Sequence, residues 1–177
     1  MYTIFVFLMF SAACFASEYK AVDSLKLENY IGKWYQVYGD NFNRLFQSDG
    51  SCSTAKYEII DDNKVSVYNY QYDKNNNIDS IKGFAYYKED DCCGYLTVKL
   101  ADNPEAPYWV LELGPIVDNL YDYAIVSDNN ALSLFVLTRN VENFYKLYNE
   151  TVVDSLNNFG FTKKYNYPVT MDQTNCD

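Results

Sequence analysis

The 177-residue chain contains no histidine. That absence removes Ser-His-Asp and Cys-His nucleophilic sites, and with them every His-ligated zinc or haem centre. Positive charge is in deficit: 14 Lys and Arg stand against 24 Asp and Glu, a formal net charge of −10. Nucleic acid and anionic membrane surfaces attract basic patches, so neither is an expected partner. No Cys-x-x-Cys occurs, which leaves no zinc ribbon and no thioredoxin-type site, and no metal or cofactor is expected. Beyond the first residues no stretch approaches a membrane span of about 18 apolar residues. Glycine is scarce at 7 copies, and Asn clusters supply many of the turns. Tyrosine is abundant instead, with 19 copies beside 11 Phe and 2 Trp. These are strand formers with large apolar bodies, so the bias favours an all-β chain with aromatic-lined surfaces.

Ile4 to Phe10 is an uninterrupted apolar run followed by small residues through Ser17, and cleavage after Ala16 fits the small-x-small rule. The expectation is an export signal over residues 1–16, a single domain over 17–177, and a secreted, extracellular product. A lipoprotein signal ending at Cys14 competes less well, because Ser11 stands where Leu is usual. After cleavage Cys52, Cys92, Cys93 and Cys176 remain, an even number that favours bridges in an oxidising space. The simplest pairing joins Cys52 to Cys176 and ties down the tail. The adjacent Cys92 and Cys93 leave three options open: a vicinal bridge, two thiols, or outward pairing. Asn149-Glu150-Thr151 offers an N-glycosylation site at Asn149.

From Trp34 onward, strand-length runs alternate with Asn, Asp, Gly and Pro clusters at roughly ten-residue spacing, the signature of a sandwich or barrel. The runs are Trp34–Gly39, Cys52–Ile60, Lys64–Asp73, Ile78–Lys88, Gly94–Ala101, Pro107–Gly114, Tyr121–Ser127 and Ala131–Arg139. Most separators are too short for a helix, so neighbours should pair as antiparallel hairpins. Eight such strands in up-and-down order predict a closed barrel wide enough for one small ligand. Phe144, Leu147, Tyr148, Val152, Leu156 and Phe159 then recur at spacings of three and four. They predict one C-terminal helix packed outside the barrel, N-capped by Asn140 and ended by Gly160. Lys164–Thr170 reads as a short edge strand, with Pro168 tolerated where no ladder partner is needed. Asp61-Asp62 and Glu89-Asp90-Asp91 fall in turns, where solvated acids are the ordinary outcome.

Three ordered motifs carry a specific resemblance. Gly32-Lys33-Trp34 opens the first strand, Asp122-Tyr123 enters the seventh, and Leu137-Thr138-Arg139 ends the eighth. Together they resemble the lipocalin family, in which the Trp closes the barrel bottom and the Arg packs across it. Pro107–Leu111 and the tail Thr170–Cys176 are similar to the apolipoprotein D-like group. The resemblance implies structural roles for Gly32, Trp34, Asp122, Tyr123 and Arg139, and it supports the Cys52–Cys176 bridge. The adjacent Cys92 and Cys93 depart from that group's pattern.

Side-chain alternation then suggests what faces the barrel interior. With Arg139 inward, Phe135 and Leu137 turn inward too. Leu96, Val98 and Leu100 should face in because Thr97 and Lys99 prefer water. Gly83 and Ala85 inward would leave Lys82 outside. Alternation does not choose between the Val67/Asn69 face and the Tyr68/Tyr70 face of the third strand, nor between Tyr108 and Trp109. The resemblance implies Tyr57, Asn69 and Phe135 as inward residues, and hence Val67 and Tyr108. The expected ligand-binding set is therefore Tyr57, Val67, Asn69, Ala85, Val98, Tyr108, Phe135 and Leu137. The function implied is a secreted carrier of a small hydrophobic molecule such as a fatty acid, sterol or retinoid, with no catalysis and no particular receptor indicated. The alternatives are an isomerase or de-epoxidase on the same barrel, using thiols at Cys92-Cys93, or a lipid-peroxide-protective protein using Met171.

Overall fold

A computed structural model describes residues 19–41, 50–87 and 93–176. The expected signal over 1–16 and Cys92 lie outside them. In chain order the elements are α1 (Leu27–Tyr30), β1 (Gly32–Asp40), β2 (Ser51–Asp61), β3 (Lys64–Tyr72), β4 (Ile78–Tyr86), β5 (Tyr95–Leu100) and β6 (Ala106–Leu113). There follow β7 (Ile116–Val117), β8 (Leu120–Tyr121), β9 (Tyr123–Ser127), β10 (Leu134–Thr138), α2 (Val141–Leu147), α3 (Asn149–Asn158) and β11 (Pro168–Thr170).

β1 to β6, β9 and β10 pair antiparallel with their neighbours, and β10 returns to β1 with Tyr35 opposite Thr138. This closes the eight-stranded barrel and removes its free edges. The short hairpin β7–β8 was not expected between the sixth and seventh barrel strands. Its turn residues Asp118 and Asn119 both take positive φ, at 50° and 64°, the conformation that two-residue hairpins require.

Alternation sorts the side chains into two cores. Inside the barrel lie Trp34, Ala55, Tyr57, Val65, Val67, Ala85, Leu96, Val110, Val126 and Leu137. On the outer wall, Val37, Leu111, Tyr123, Ile125, Leu134 and Val136 pack against Phe144, Val152, Leu156 and Phe161 of the helical segment. Leu96, Val98 and Leu100 face the inner core as parity requires, although Thr97 on the opposite face is also buried. Gly83 has a packing reason of its own. A Cβ there would lie 1.9 Å from the Lys99 carbonyl oxygen, so only glycine allows β4 and β5 to approach this closely.

The single helix expected after Asn140 is two. Asn140 caps α2 by accepting the Asn143 N–H at 2.9 Å, and the backbone leaves regular geometry at Tyr148 (φ −120°) before α3 begins. Contacts with the barrel hold that departure: the Tyr148 ring lies 5.1 Å from Tyr123, and Asn149 Oδ1 accepts the Tyr38 hydroxyl at 2.7 Å. Gly160 (φ +89°) ends α3 as expected. The Phe161 N–H reaches back to the Leu156 carbonyl and the Gly160 N–H to that of Asn157, the paired bonds of a left-handed glycine cap.

The tail completes the barrel where two strands diverge. β1 pairs with β2 only over Gly32–Tyr35, and β11 takes up Tyr38–Asp40 with Pro168 opposite Asp40. Between them the Gln173 amide donates to the carbonyls of both Gln36 and Ser53, at 2.9 and 2.8 Å. Cys52 and Cys176, 124 positions apart, are joined in a disulfide. Cys176→Ser should cost about 2–5 kcal/mol of stability, the usual value of a long-loop bridge. Denaturant melts of the two proteins check this, and an unchanged midpoint would show that the tail is held by its hydrogen bonds alone.

Candidate functional site

The site is built upward from the closed end of the barrel. Trp34 is wholly buried, and its indole N–H donates to the Tyr30 carbonyl at 2.8 Å. The Arg139 guanidinium lies over the indole, 3.5 Å from the ring centroid. It donates to the carbonyls of Lys33 at 2.7 Å and of Tyr30 and Tyr121 at 3.1 Å. Ring face and carbonyls together offset the cost of burying a cation. Burial pulls the guanidinium down to about 10, so it stays charged at neutral pH. Gly32 adopts φ +93°, and a Cβ there would stand 3.3 Å from Arg139 Nη1, so position and space both call for glycine. The Asp122 carbonyl accepts the Arg139 backbone N–H at 3.0 Å, and the Tyr123 hydroxyl donates to Glu112 at 2.7 Å beneath the helices.

Three tyrosines lie on this floor. The Tyr108 hydroxyl bonds that of Tyr30 at 2.8 Å and that of Tyr57 at 2.9 Å. Tyr30 and Tyr57 are 2% and 3% exposed. Burial pushes Tyr57 up to about 12, and it raises Tyr30 and Tyr108 well above the usual phenol range. All three are therefore neutral hydroxyls at physiological pH.

Above them opens a cavity of about 310 Å³. Tyr57 and Tyr108 line its inner part, Asn69, Phe135, Leu137, Ala55 and Ile81 its waist with Gln36 opposite Leu137, and Ser53, Gln71 and Asp79 the end toward the strand termini. Asn69 Oδ1 is buried and has no hydrogen-bond partner among the described residues. Gln71 links the outer polar groups, donating to Asp79 and accepting from Ser53. Lys82 and Lys99 stay outside, Lys82 over the Tyr68 ring and Lys99 on the Asn103 carbonyl. Among the described residues no cluster of acidic or thiol side chains is arranged to hold a metal ion.

The structure thus brings Tyr57, Asn69, Tyr108, Phe135 and Leu137 to one cavity, while Trp109 points outward onto Tyr95. Val67, Ala85 and Val98 do not line it. They sit in the half of the barrel where Val22 and Leu25 of the N-terminal segment, with Tyr87 and Leu96, fill the interior. Sequence reasoning did not single out Tyr30, which lies ahead of the first strand in a one-turn helix that periodicity does not reveal. Gln36, Ser53, Asp79 and Ile81 were also missed. For Asp79 and Ile81, alternation from Gly83 gives the signal.

A family model described as a lipocalin-like domain matches residues 25–166. The chain belongs to the lipocalin family. Within it, the relatives include apolipoprotein D and a bacterial outer-membrane lipoprotein. The Vibrio cholerae protein "Outer membrane lipoprotein Blc" is 34% identical over 121 residues, 68% of each chain. Apolipoprotein D of Cavia porcellus is 30% identical over 115 residues, 64% of this chain and 57% of its own length. Among solved structures, lobster apocrustacyanin A1 superposes with a TM-score of 0.60 at 20% identity, covering 82% of this chain and 78% of its own.

The buried tyrosines set an alkaline limit on the fold. In the unfolded chain they ionise near 10, whereas folded Tyr57 keeps its proton to about 12. The unfolded state therefore holds fewer protons across that interval, and stability should be flat below about pH 9 and fall from 10 upward. Denaturant melts against pH, with Tyr57→Phe giving a shallower decline, check the assignment.

Proposed function

We propose that this lipocalin binds and carries a small, largely apolar molecule and does not transform it. The observation that carries the reading is the cavity, whose waist is lined by Phe135, Leu137, Ile81 and Ala55. Burial of apolar ligand surface against these side chains supplies the affinity, and Asn69, Tyr57 and Tyr108 set orientation. At about 310 Å³ the space lies at the lower end of small-molecule sites, about 300–1,000 Å³. That size suits a single acyl chain or a compact ring system better than a bulky sterol. Carriage without chemistry is supported by the groups on the wall. The tyrosines are held protonated, Asp79 is exposed, and the chain has no histidine to serve as a general base.

Export of the mature protein, beginning near Ser17, belongs to the same reading and is supported by the Cys52–Cys176 disulfide. The intact mass of secreted material should lack residues 1–16, and retention of Met1 would contradict export by cleavage. For the carrier reading, fatty acids and retinoids titrated against Trp fluorescence should bind below about 100 μM, about −5.5 kcal/mol on the affinity scale. Phe135→Ala should weaken them by about 1.5–3 kcal/mol, the contribution of one buried aromatic side chain. Absence of binding, or a silent Phe135→Ala for every binder, would sink the reading.

A further inference from the structure

The tyrosine floor has one more proton than it can use. Tyr30, Tyr57 and Tyr108 bring three hydroxyl protons, and the cluster contains two hydrogen bonds, Tyr30–Tyr108 and Tyr57–Tyr108. Each bond consumes one proton. No other hydrogen bond joins these hydroxyls to a carbonyl or side chain among the described residues. A buried donor without an acceptor is costly, so the surplus has to be placed where an acceptor can reach it. Tyr30 is buried and does not line the cavity, which makes it the donor to Tyr108. The remaining proton then sits on Tyr108 if Tyr57 donates to it, or on Tyr57 if Tyr108 donates. Both residues line the cavity. In either arrangement the floor presents one O–H to whatever occupies the space.

We infer that the ligand carries a neutral carbonyl oxygen at its inner end and that the Tyr57–Tyr108 pair donates a hydrogen bond to it. This rests on the carrier reading above and narrows it to a chemical class. A hydroxyl-headed ligand fits the floor less well, because it brings a second proton to a place that holds no acceptor for it, the unpartnered Asn69 Oδ1 lying at the waist and not at the floor. A carboxylate fits less well again. The donors of Arg139 are committed to backbone carbonyls, Asp79 stands among the outer lining residues, and the chain carries a net −10. A buried carboxylate anion would be left with too little compensation, so a fatty acid binds with its head at the open end or enters as the neutral acid, whose carbonyl meets the floor. The carbonyl end enters first, and the apolar body lies against Leu137, Phe135 and Ile81.

Two naphthalene dyes test this on the full mature protein. Prodan carries a propionyl ketone whose emission moves to longer wavelength when its oxygen accepts a hydrogen bond. Phenylnaphthylamine is of similar size and has no acceptor oxygen. Both should bind the unaltered protein, and bound prodan should show the emission of a hydrogen-bonded ketone. The double variant Tyr57→Phe/Tyr108→Phe removes both hydroxyls that the floor turns to the cavity. It should weaken prodan roughly threefold to tenfold, the value of one neutral hydrogen bond, shift its bound emission to shorter wavelength, and leave phenylnaphthylamine within about twofold. Tyr30→Phe is the internal control. It leaves two hydroxyls and one bond between them, so one proton is still surplus, and prodan affinity and emission should hold. If both dyes bind but the double variant treats them alike, or if Tyr30→Phe abolishes the ketone signature, the proton count is wrong and the carrier reading survives. If neither dye binds the unaltered protein, the carrier reading itself falls and this inference with it.

Discussion

The stacking of Arg139 on Trp34 is the constraint around which the rest of the structure is arranged. A half-buried guanidinium has five N–H groups to satisfy, and here they draw in carbonyls from the end of α1, the start of β1 and the end of β8. That requirement fixes α1 against the barrel end, since the Tyr30 carbonyl receives both the indole and the guanidinium. Fixing α1 in turn fixes the Tyr30 ring, which packs 5.1 Å from Trp34 and 5.4 Å from Tyr57. The cavity floor is thus a by-product of closing the barrel. Replacing Arg139 would disturb the cavity-facing hydroxyls without touching the cavity itself.

The interior is divided rather than uniformly hollow. Val22 and Leu25 lie against the halves of β4 and β5 nearest the closed end, and the Tyr87 hydroxyl donates to the Leu25 carbonyl at 3.0 Å. The space left is bounded by β1, β2, β3, the first residues of β4 and β10, with Tyr108 of β6 on its floor, and Gln36, Ser53 and Gln71 replace apolar residues along the inner face. A barrel of eight strands holds little volume to begin with. Surrendering half of it to the chain's own N-terminal segment gains apolar burial at the expense of ligand size. What remains is narrow, apolar at the waist and polar at both ends.

Most of the architecture was legible because strand period, turn chemistry and the ordered Gly-x-Trp, Asp-Tyr and Thr-Arg motifs agree with one another. The inward parity of Phe135 and Leu137 follows from the same alternation, whereas the inward face of Asn69 is implied only by the family resemblance. What could not be read depends on long-range company. Val67, Ala85 and Val98 face inward, yet parity says nothing about whether another segment already occupies that half of the barrel. The kink at Tyr148 comes from contacts with Tyr38 and Tyr123 on the barrel wall, which no helical period reports. Tyr30 escaped because a one-turn helix has no period at all. The Asn149 sequon is clear in sequence, but the structure shows its Oδ1 already held by Tyr38.

The way the tail fills the divergence of β1 and β2 has a consequence for biosynthesis. β1 is among the first segments of the domain to leave the ribosome, and its lasting partners β10 and β11 are among the last. The nascent barrel therefore waits, with β1 paired along one edge only, until nearly the whole chain has been translated. Cys52 waits with it, and Cys92 and Cys93 emerge before Cys176 does. During that interval the cysteines already made after Cys52 are not its native partner. The docking of Gln173 and β11 holds Cys176 beside Cys52 and so favours the native bridge once the tail has been made.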